Sequence, residues 1–198
     1  PSFRKEIFDE IGFFDEQLTR NQDDDFSFRL VKQKYKILLK ADIWMKYKVR
    51  ASFRMLFKQY KQYGYWKVFV NKKHKTVTTL RQLFPTVFVL SLFLLILLSL
   101  IFPAITYLLI FELAFYTALN MFFSLKDNGL NLINGFKQMY TYLILHISYG
   151  LGYLEGIYDF LLLNKLPNEL VNYIIFQSNN ITLSRILSLI VKVNSRYF

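Results

Sequence analysis

Residues 83–125, LFPTVFVLSLFLLILLSLIFPAITYLLIFELAFYTALNMFFSL, form an apolar block that decides the fold of the chain. The block contains no Lys or Arg, and Glu112 is its one acid. A helix of about 20 residues crosses a hydrocarbon core of about 30 Å, so the block is long enough for two spans. Pro103 lies where the two would meet, and proline ends a helix. The pattern predicts a transmembrane helical hairpin with spans at about 84–102 and 104–125.

A weaker apolar stretch, MYTYLILHISYGLGYLEGIYDFLLL, occupies residues 139–163. It contains a histidine and two acids, and its Gly152 and Gly156 favour close helix packing. Basic residues precede the first span and place that end in the cytoplasm by the positive-inside rule. The tail, residues 164–198, is also basic and is predicted to include an amphipathic helix on the membrane surface. Residues 139–163 therefore either cross the membrane or form a re-entrant or interfacial segment.

Basic charge is concentrated before the apolar block. The 198-residue chain has a formal charge of +11 and no cysteine, which excludes a disulfide scaffold and a thiolate metal site. Residues 26–81 carry 16 Lys and Arg against a single acid, Asp42. Lysines interleaved with aromatic residues are compatible with nucleic acid, but the neighbouring hairpin makes anionic lipid the simpler partner. We expect contact with membrane lipids and no nucleic-acid partner.

The segment before the block combines helical and alternating patterns. Residues 3–13 have apolar side chains at helical spacing and predict a short helix with Gly12 as its stop. Residues 23–34 predict a second helix with an acidic first turn. The alternating, aromatic-rich residues 34–49 predict two short strands. Ser52 then begins a long amphipathic helix rich in Tyr and Lys.

Three consecutive acids, Asp23, Asp24 and Asp25, begin the second helix. Adjacent carboxylates repel one another, so a metal, a cation or water must relieve the repulsion. A calcium loop of the EF-hand type needs Gly at its sixth position and Glu at its twelfth. Counted from Asp23, those positions are Phe28 and Lys34, which excludes that site. A helix N-terminus stabilises acidic residues in its first turn, and this structural interpretation competes with a catalytic one.

The motifs and their order resemble the second half of the catalytic domain of family 2 glycosyltransferases, which have the GT-A fold. The sequences that carry the resemblance are FRKEIFDEIGFFDE at 3–16, QDDDFSFRL at 22–30, KQYKQYGYWK at 58–67, LRQLFPTVF at 80–88 and HISYGLGYL at 146–154. They are similar in particular to the succinoglycan-biosynthesis glucosyltransferases, membrane-attached enzymes of exopolysaccharide assembly. The resemblance implies an α/β fragment, the C-terminal half of a GT-A domain, in residues 1–82. An all-α transmembrane region in 83–163 and the basic tail would follow.

Enzymes of this family transfer a sugar from a nucleotide-sugar donor to an acceptor hydroxyl, here with inversion at the anomeric carbon. The resemblance implies that Asp23 is the catalytic base and that Asp24 faces solvent. The substrate-binding residues that it implies are Gln22, Asp25, Arg29, Gln62 and Trp66. Asp25 would orient the acceptor or pair with a basic residue. Gln22 replaces the family's usual Glu, and Tyr65 stands where processive relatives have an arginine.

The resemblance also implies a cofactor, an acceptor and a location. A divalent cation, Mg²⁺ or Mn²⁺, is expected for the full-length enzyme, with ligands that are not in this fragment. The acceptor would be a glycan or a polyprenyl-linked sugar. The enzyme would be a multi-pass protein of the plasma or inner membrane with its catalytic part in the cytoplasm. Because the chain begins at Pro1 rather than Met, we expect a longer protein that carries the donor-binding half, and no activity from the fragment alone.

Two other functions compete with this one. A non-catalytic membrane protein would use the basic helix to bind anionic lipid or a partner, and Asp23 would then be dispensable. A membrane-embedded enzyme would use Glu112, His146 and Glu155, which should then converge on one cavity.

Overall fold

The fold is helical throughout the part of the chain that can be described. A computed structural model describes residues 3–40, 42–44, 46, 52–128 and 131–167. The α-helices in these residues are α1 (Lys5–Ile11), α2 (Gln22–Lys32), α3 (Phe53–His74), α4 (Phe84–Ser99), α5 (Ile105–Asp127) and α6 (Leu132–Gly156). A 3₁₀ turn (Leu80–Leu83) precedes α4, and a π-helical segment (Ile157–Leu162) follows α6.

The chain forms two compact units. The first unit contains residues 1–47, 66–78 and 156–198, and the second contains residues 48–65 and 79–155. Helix α3 therefore contributes its last turns to the first unit and its first turns to the second. The predicted amphipathic helix of the tail lies outside the described residues, because these end at 167.

Both short helices that the sequence predicts near the N-terminus are confirmed. Helix α1 ends at Ile11, and Gly12 follows with a φ of 76°, in the left-handed region that glycine adopts without steric cost. The Gly12 N–H donates to the carbonyl oxygen of Phe8 at 3.0 Å, which closes the last turn. Helix α2 begins at Gln22 and carries the three aspartates in its first turn.

Phenylalanine rings form the core of the first unit around α1 and α2. The side chain of Phe26, on α2, is fully buried. Its ring centroid lies 4.9 Å from that of Phe3, 5.5 Å from that of Phe8 and 4.7 Å from that of Phe14. Aromatic rings at such distances attract one another, because the positive edge of one ring meets the negative face of the other, and this stabilises the core beyond the burial of apolar area. These contacts fix the orientation of α2, and with it the orientation of the acidic turn.

The last turns of α3 complete the first unit. Val68, Phe69 and Val70 are buried, and the Phe69 ring lies 5.1 Å from the ring of Phe160 in the π-helical segment. The ammonium group of Lys72 donates to the carbonyl oxygen of Phe160 at 2.6 Å. Helix α3 is thus held on the π-helical segment by apolar packing and by a charged hydrogen bond.

The prediction of an α/β fragment is wrong, because the described residues contain no strand. Residues 35–40, part of the predicted strand pair, have no regular structure, and their Ile37, Leu38 and Leu39 side chains are exposed. A strand forms only where a neighbouring backbone accepts and donates its hydrogen bonds, and the described residues provide no such edge. An alternating sequence pattern indicates a preference for extended backbone, but it does not show that a partner strand is present. The other predicted strand falls mostly outside the described residues.

Helices α4 and α5 pack on each other and occupy the positions of the two predicted spans. Both are long and apolar enough to cross a membrane, and they are the two helices of the described residues that have this composition. Only 11% of the apolar stretch of each is buried within the chain. Their large side chains point outward, as expected for helices whose surroundings are hydrocarbon rather than water.

Helix α6 crosses α3 at a point where two glycines remove the side chains. A Cβ on Gly64 of α3 would collide with the main chain of Tyr149, and a Cβ on Gly152 of α6 would collide with the main chain of Lys61. Small residues of this kind let two helix backbones approach closely. The packing role predicted for Gly152 is therefore confirmed, within the second unit.

Candidate functional site

The acidic turn begins after a sharp change of chain direction at Asn21. This residue has a φ of 63° and a ψ of 22°, in the left-handed region that asparagine tolerates better than most residues. The backbone N–H of Asp25 donates to the carbonyl oxygen of Asn21 at 2.9 Å and closes the first turn of α2. The carboxylates that follow lie at the positive end of the helix dipole, as the structural interpretation of the sequence predicts.

The three aspartates differ in exposure. Asp23 is exposed, the Asp24 side chain is 42% exposed, and the Asp25 side chain is 0% exposed. Successive residues of an α-helix project about 100° apart, so one turn directs three consecutive side chains into three environments. Asp24 was predicted to face solvent, and it does so only in part.

Asp25 has three hydrogen-bond partners inside the first unit. Its Oδ2 accepts from Nε of Arg29 at 3.0 Å, and its Oδ1 accepts from Nζ of Lys73 at 2.9 Å and from Nε2 of His74 at 2.8 Å. Since an ionised carboxylate only accepts hydrogen bonds, His74 carries its hydrogen on Nε2. Pairing with basic residues, one of the two roles predicted for Asp25, is the role that the geometry shows.

The protonation states of Asp25 and His74 follow from burial and from the neighbouring charges. Burial by itself raises the pKa of Asp25, but the hydrogen bond and charge of Lys73, with the contributions of His74 and Arg29, bring this pKa below its ordinary value of 3.8. Burial lowers the pKa of His74 below 6.5, although the Asp25 carboxylate acts in the opposite direction. The cluster at pH 7 therefore contains an ionised Asp25 and a neutral His74.

Arg29 connects α2 to the end of α1. Besides Asp25, its guanidinium donates to the carbonyl oxygen of Ile11 and, at 2.7 Å, to the carbonyl oxygen of Phe13. Carbonyl oxygens after a helix C-terminus have no intrahelical partner, and a cation there is favourable. These contacts join α2 to the end of α1, and the predicted role of Arg29 in substrate binding stays a prediction.

Two lysines of α3 bind the other acids of the cluster. The ammonium group of Lys67, whose side chain is 8% exposed, pairs with Oδ2 of Asp24. The ammonium group of Lys73 pairs with Oδ2 of Asp15 at 2.6 Å in addition to Asp25. Each like-charged neighbour of Asp23 is thus paired with a cation.

Asp23 differs from its neighbours in that no cation or hydrogen-bond donor of the described residues contacts its carboxylate. Its side chain is exposed at the helix start, while its backbone is fixed by the turn and by the phenylalanine core. An exposed carboxylate on a rigid element can accept a proton or a hydrogen bond from a ligand without first breaking an internal contact.

The remaining predicted binding residues lie on α2 and α3. Gln22 is exposed, and its side-chain amide donates to the carbonyl oxygen of Asp15 at 3.3 Å. Gln62 belongs to the second unit, and Trp66, one turn later on α3, belongs to the first. Trp66 packs on Phe160 with a centroid distance of 5.9 Å, which accounts for part of its burial. The structure brings Gln22, Asp25 and Arg29 onto the same helix as Asp23 and places Gln62 and Trp66 on another.

The described residues contain no group of three or more His, Cys, Asp or Glu side chains that could hold a metal ion. The carboxylates of the two acids nearest to Asp23 already have partners within the protein, because Asp24 binds Lys67 and Asp25 accepts from three donors. These residues do not fit a divalent cation. A cation for the whole protein stays a prediction.

Sequence reasoning missed the residues that surround the acidic turn: Asp15, Lys67, Lys73 and His74. Their signal in the sequence is the basic end of the long helix, which the pattern attributes to a membrane surface. Lys67 is separated from Asp24 by 43 positions and Lys73 from Asp25 by 48, so no local pattern reports either pair.

The ionisable residues of the second unit have separate partners. Glu112 accepts from the Ser91 hydroxyl at 2.5 Å, Nδ1 of His146 lies 3.0 Å from the Tyr116 hydroxyl, and Glu155 pairs with Lys61 at 2.7 Å. A cavity of about 380 Å³ in this unit is lined mainly by apolar side chains of α4, α5 and α6, and none of the three acids and bases lines it. The contacts give no support to a shared intramembrane site.

Comparison with known proteins relates the chain to one curated protein of polysaccharide synthesis. The succinoglycan biosynthesis protein ExoA of Rhizobium meliloti (strain 1021) is 35% identical to this chain over 82 residues. The match covers 41% of this chain and 25% of that protein, so the chain matches about a quarter of its curated relative. No protein-family model and no solved structure matches the chain.

Proposed function

We propose that the chain is part of a membrane-attached family 2 glycosyltransferase of exopolysaccharide synthesis, with Asp23 as its catalytic base. The similarity to a succinoglycan biosynthesis protein supports the process. The order of the motifs around the acidic turn supports the enzyme family. The proposal extends from the matched segment to the whole protein, because the chain matches about a quarter of that relative.

The reaction transfers a sugar from a nucleotide-sugar donor to an acceptor hydroxyl. The acceptor oxygen attacks the anomeric carbon from the face opposite the nucleotide, and a new glycosidic bond forms as the bond to the diphosphate breaks. The nucleoside diphosphate leaves with the bonding electron pair. The proton of the acceptor hydroxyl passes to the Asp23 carboxylate, which acts as the general base.

The observation that carries the proposal is the contrast between Asp23 and the two acids beside it. Asp24 and Asp25 are paired with cations, whereas the Asp23 carboxylate is exposed and has no partner among the described residues. A general base must reach the proton that it removes, and it must be held in place by its backbone. The exposure of Asp23 and its place in the first turn of α2 support this role.

Membrane attachment suits a lipid-linked acceptor. Helices α4 and α5 would attach the protein to the bilayer, and the basic residues before α4 favour a cytoplasmic position for the preceding end by the positive-inside rule. The hydrocarbon tail of a polyprenyl-linked sugar would stay in the membrane while its sugar hydroxyl reaches Asp23. A growing glycan chain is the other acceptor of this class. A divalent cation for the leaving diphosphate would use ligands outside the described residues.

The competing lipid-binding function is less favoured by the contacts of α3. Of its lysines, Lys61, Lys67, Lys72 and Lys73 all have acceptors within the chain. Arg54 and Lys58, at the start of the helix, are exposed. A helix whose cations are mostly bound inside the protein has little charge left for anionic lipid.

The test is sugar transfer by the whole protein in membranes, with a panel of nucleotide sugars and a lipid extract as acceptor. We expect Asp23→Asn to lower kcat by about 10²–10⁴-fold, the usual contribution of a general base, with donor binding unchanged. Asp9→Asn, at an exposed position on α1, is the matched control and should retain activity. Full activity in Asp23→Asn would refute the proposed role and leave the acidic turn as a helix N-terminus alone.

A further inference from the structure

The acidic turn is part of a cluster of ion pairs in which three acids have cationic partners and Asp23 has none among the described residues. The charged and titratable side chains that face the turn are Asp15 from the preceding loop, Arg29 and Lys32 from α2, and Lys67, Lys73 and His74 from α3. Ion pairs join the acids Asp15, Asp24 and Asp25 to Arg29, Lys67 and Lys73. His74 is neutral at pH 7, because burial lowers its pKa.

The two lysines of α3 act on different neighbours of Asp23. Lys67 binds the residue directly after it, Asp24, with an ammonium group that is nearly buried. Lys73 binds Asp25, which is wholly buried, and also binds Asp15 in the loop before α2. Together they join the start of α2 to α3 and pair the carboxylates beside the exposed one.

We propose that Lys67 and Lys73 are positioning residues for sugar transfer, which neutralise the carboxylates beside Asp23 and so set the lower pH limit of the reaction. This inference rests on the proposed function, because it assigns a purpose to the lysines only if Asp23 is the base. Neither lysine contacts the reacting atoms. They act through Asp24 and Asp25.

If the two lysines act in this way, they determine how the rate of sugar transfer depends on pH. An uncompensated negative charge next to a carboxylate favours its protonated form, and a protonated carboxylate is not a base. Removal of Lys67 leaves the Asp24 charge unpaired beside Asp23. The acidic limb of the pH–rate profile should therefore move to higher pH, by about 0.5–1 unit for two charges several ångströms apart near the protein surface.

The experiment compares pH–rate profiles of transfer for the whole protein in membranes. Lys67→Met should move the acidic limb upward, and Lys67→Arg, which retains the charge, should return it to the wild-type position. Lys58→Met removes an exposed cation from the same helix and is the matched control, which should leave the profile unchanged. Asp24→Asn combined with Lys67→Met removes both charges of the pair and should also restore the wild-type limb.

The outcomes separate this inference from a purely structural role. A fall in kcat without movement of the acidic limb in Lys67→Met would overturn it. An inactive Lys67→Met protein that Asp24→Asn does not rescue would overturn it as well, because the lysine would then hold the fold and not the charge balance. Lys73→Met should move the limb in the same direction, through Asp25.

The same assays distinguish failure of the inference from failure of the proposed function. If Asp23→Asn retains full activity, the base lies elsewhere, and both the proposed function of Asp23 and the role of the lysines are refuted. If Asp23→Asn is inactive and the limb of Lys67→Met does not move, Asp23 stays the base and the role of the lysines alone is refuted.

Discussion

Asp23 and Asp25 lie within one helical turn, yet the first is exposed and the second is completely buried. The difference arises from the direction in which each side chain leaves the helix. One direction leads to the surface, and the other leads to Arg29, Lys73 and His74. Identical residue types therefore have different surroundings, and Asp23 is the most exposed of the three aspartates.

The buried position of Asp25 makes it a structural residue, and its removal should destabilise the first unit. Asp25→Asn leaves Arg29 without its anion in a largely buried place, and breaking a buried pair in this way costs about 3–5 kcal/mol. We expect the lower end of that range, because Lys73 keeps its second partner, Asp15.

Denaturant unfolding in a fixed detergent, followed by tryptophan fluorescence, measures this change. The matched control is Asp23→Asn, two residues away, which should alter the free energy of unfolding by no more than about 0.5 kcal/mol. Equal destabilisation by both variants would contradict the distinction between the two residues.

The contacts of individual side chains in the site were the hardest feature to predict from the sequence. The acidic helix start could be predicted, because carboxylates are favourable at a helix N-terminus. The partners of those carboxylates could not, since Lys67 and Lys73 lie more than 40 positions away and their spacing follows no motif. Long-range ion pairs depend on packing, which no local pattern contains.

At the scale of elements, helices were predictable and strands were not. Apolar periodicity and a glycine stop identify α1 correctly, because a helix satisfies its own hydrogen bonds and needs only one apolar face. The alternation in 34–49 predicted strands that the described part of this stretch lacks. A strand depends on a partner strand for every backbone hydrogen bond, so a local signal for it is incomplete.

The close crossing of α3 and α6 can be tested by a substitution at Gly152. Gly152→Ala places a methyl group against the main chain of Lys61, where no side chain can move aside. Overpacking of this kind costs about 1–3 kcal/mol, and the midpoint of thermal unfolding in a fixed detergent should fall accordingly.

Gly135→Ala is the control for that experiment. The added methyl group at Gly135 meets the end of the Leu125 side chain, which can rotate, and alanine favours the helix by up to about 1 kcal/mol. This variant should be close to wild type in stability. If Gly152→Ala were equally well tolerated, the two helices would not be held together at this crossing.

For the whole molecule, the arrangement of the hairpin in the membrane can be tested directly, because the chain has no cysteine of its own. Single cysteines replace exposed residues at the three ends of the hairpin helices: Thr79, Ala104 and Lys126. If α4 and α5 both cross the bilayer with the basic end in the cytoplasm, a membrane-impermeant maleimide should label Ala104→Cys in intact cells. Thr79→Cys and Lys126→Cys should react only after the membrane is opened.

Other labelling patterns contradict this topology in distinct ways. Labelling of Thr79→Cys and Lys126→Cys from outside, without Ala104→Cys, would reverse the orientation. Labelling of Ala104→Cys and only one of the other two would mean that a single helix crosses. The unmodified chain is the blank, since it has no thiol to react.

The broad organisation of the molecule followed from the position of its apolar residues. A stretch of about 40 residues without a cation has few alternatives to a pair of membrane helices, and α4 and α5 lie where the hairpin was expected. The division into two units, with α3 shared between them, could not be predicted, because the composition changes at the start of α4 and not within α3.

The outward-facing side chains of α4 and α5 have a consequence for every measurement made on this protein. With 11% of each apolar stretch buried within the chain, most of the packing around a hairpin inserted in a membrane would come from the surrounding lipid or detergent. The free energy of unfolding then depends on the detergent or lipid around the helices as well as on the protein. A melting temperature obtained in one detergent describes that mixture and does not transfer to another detergent or to the native bilayer.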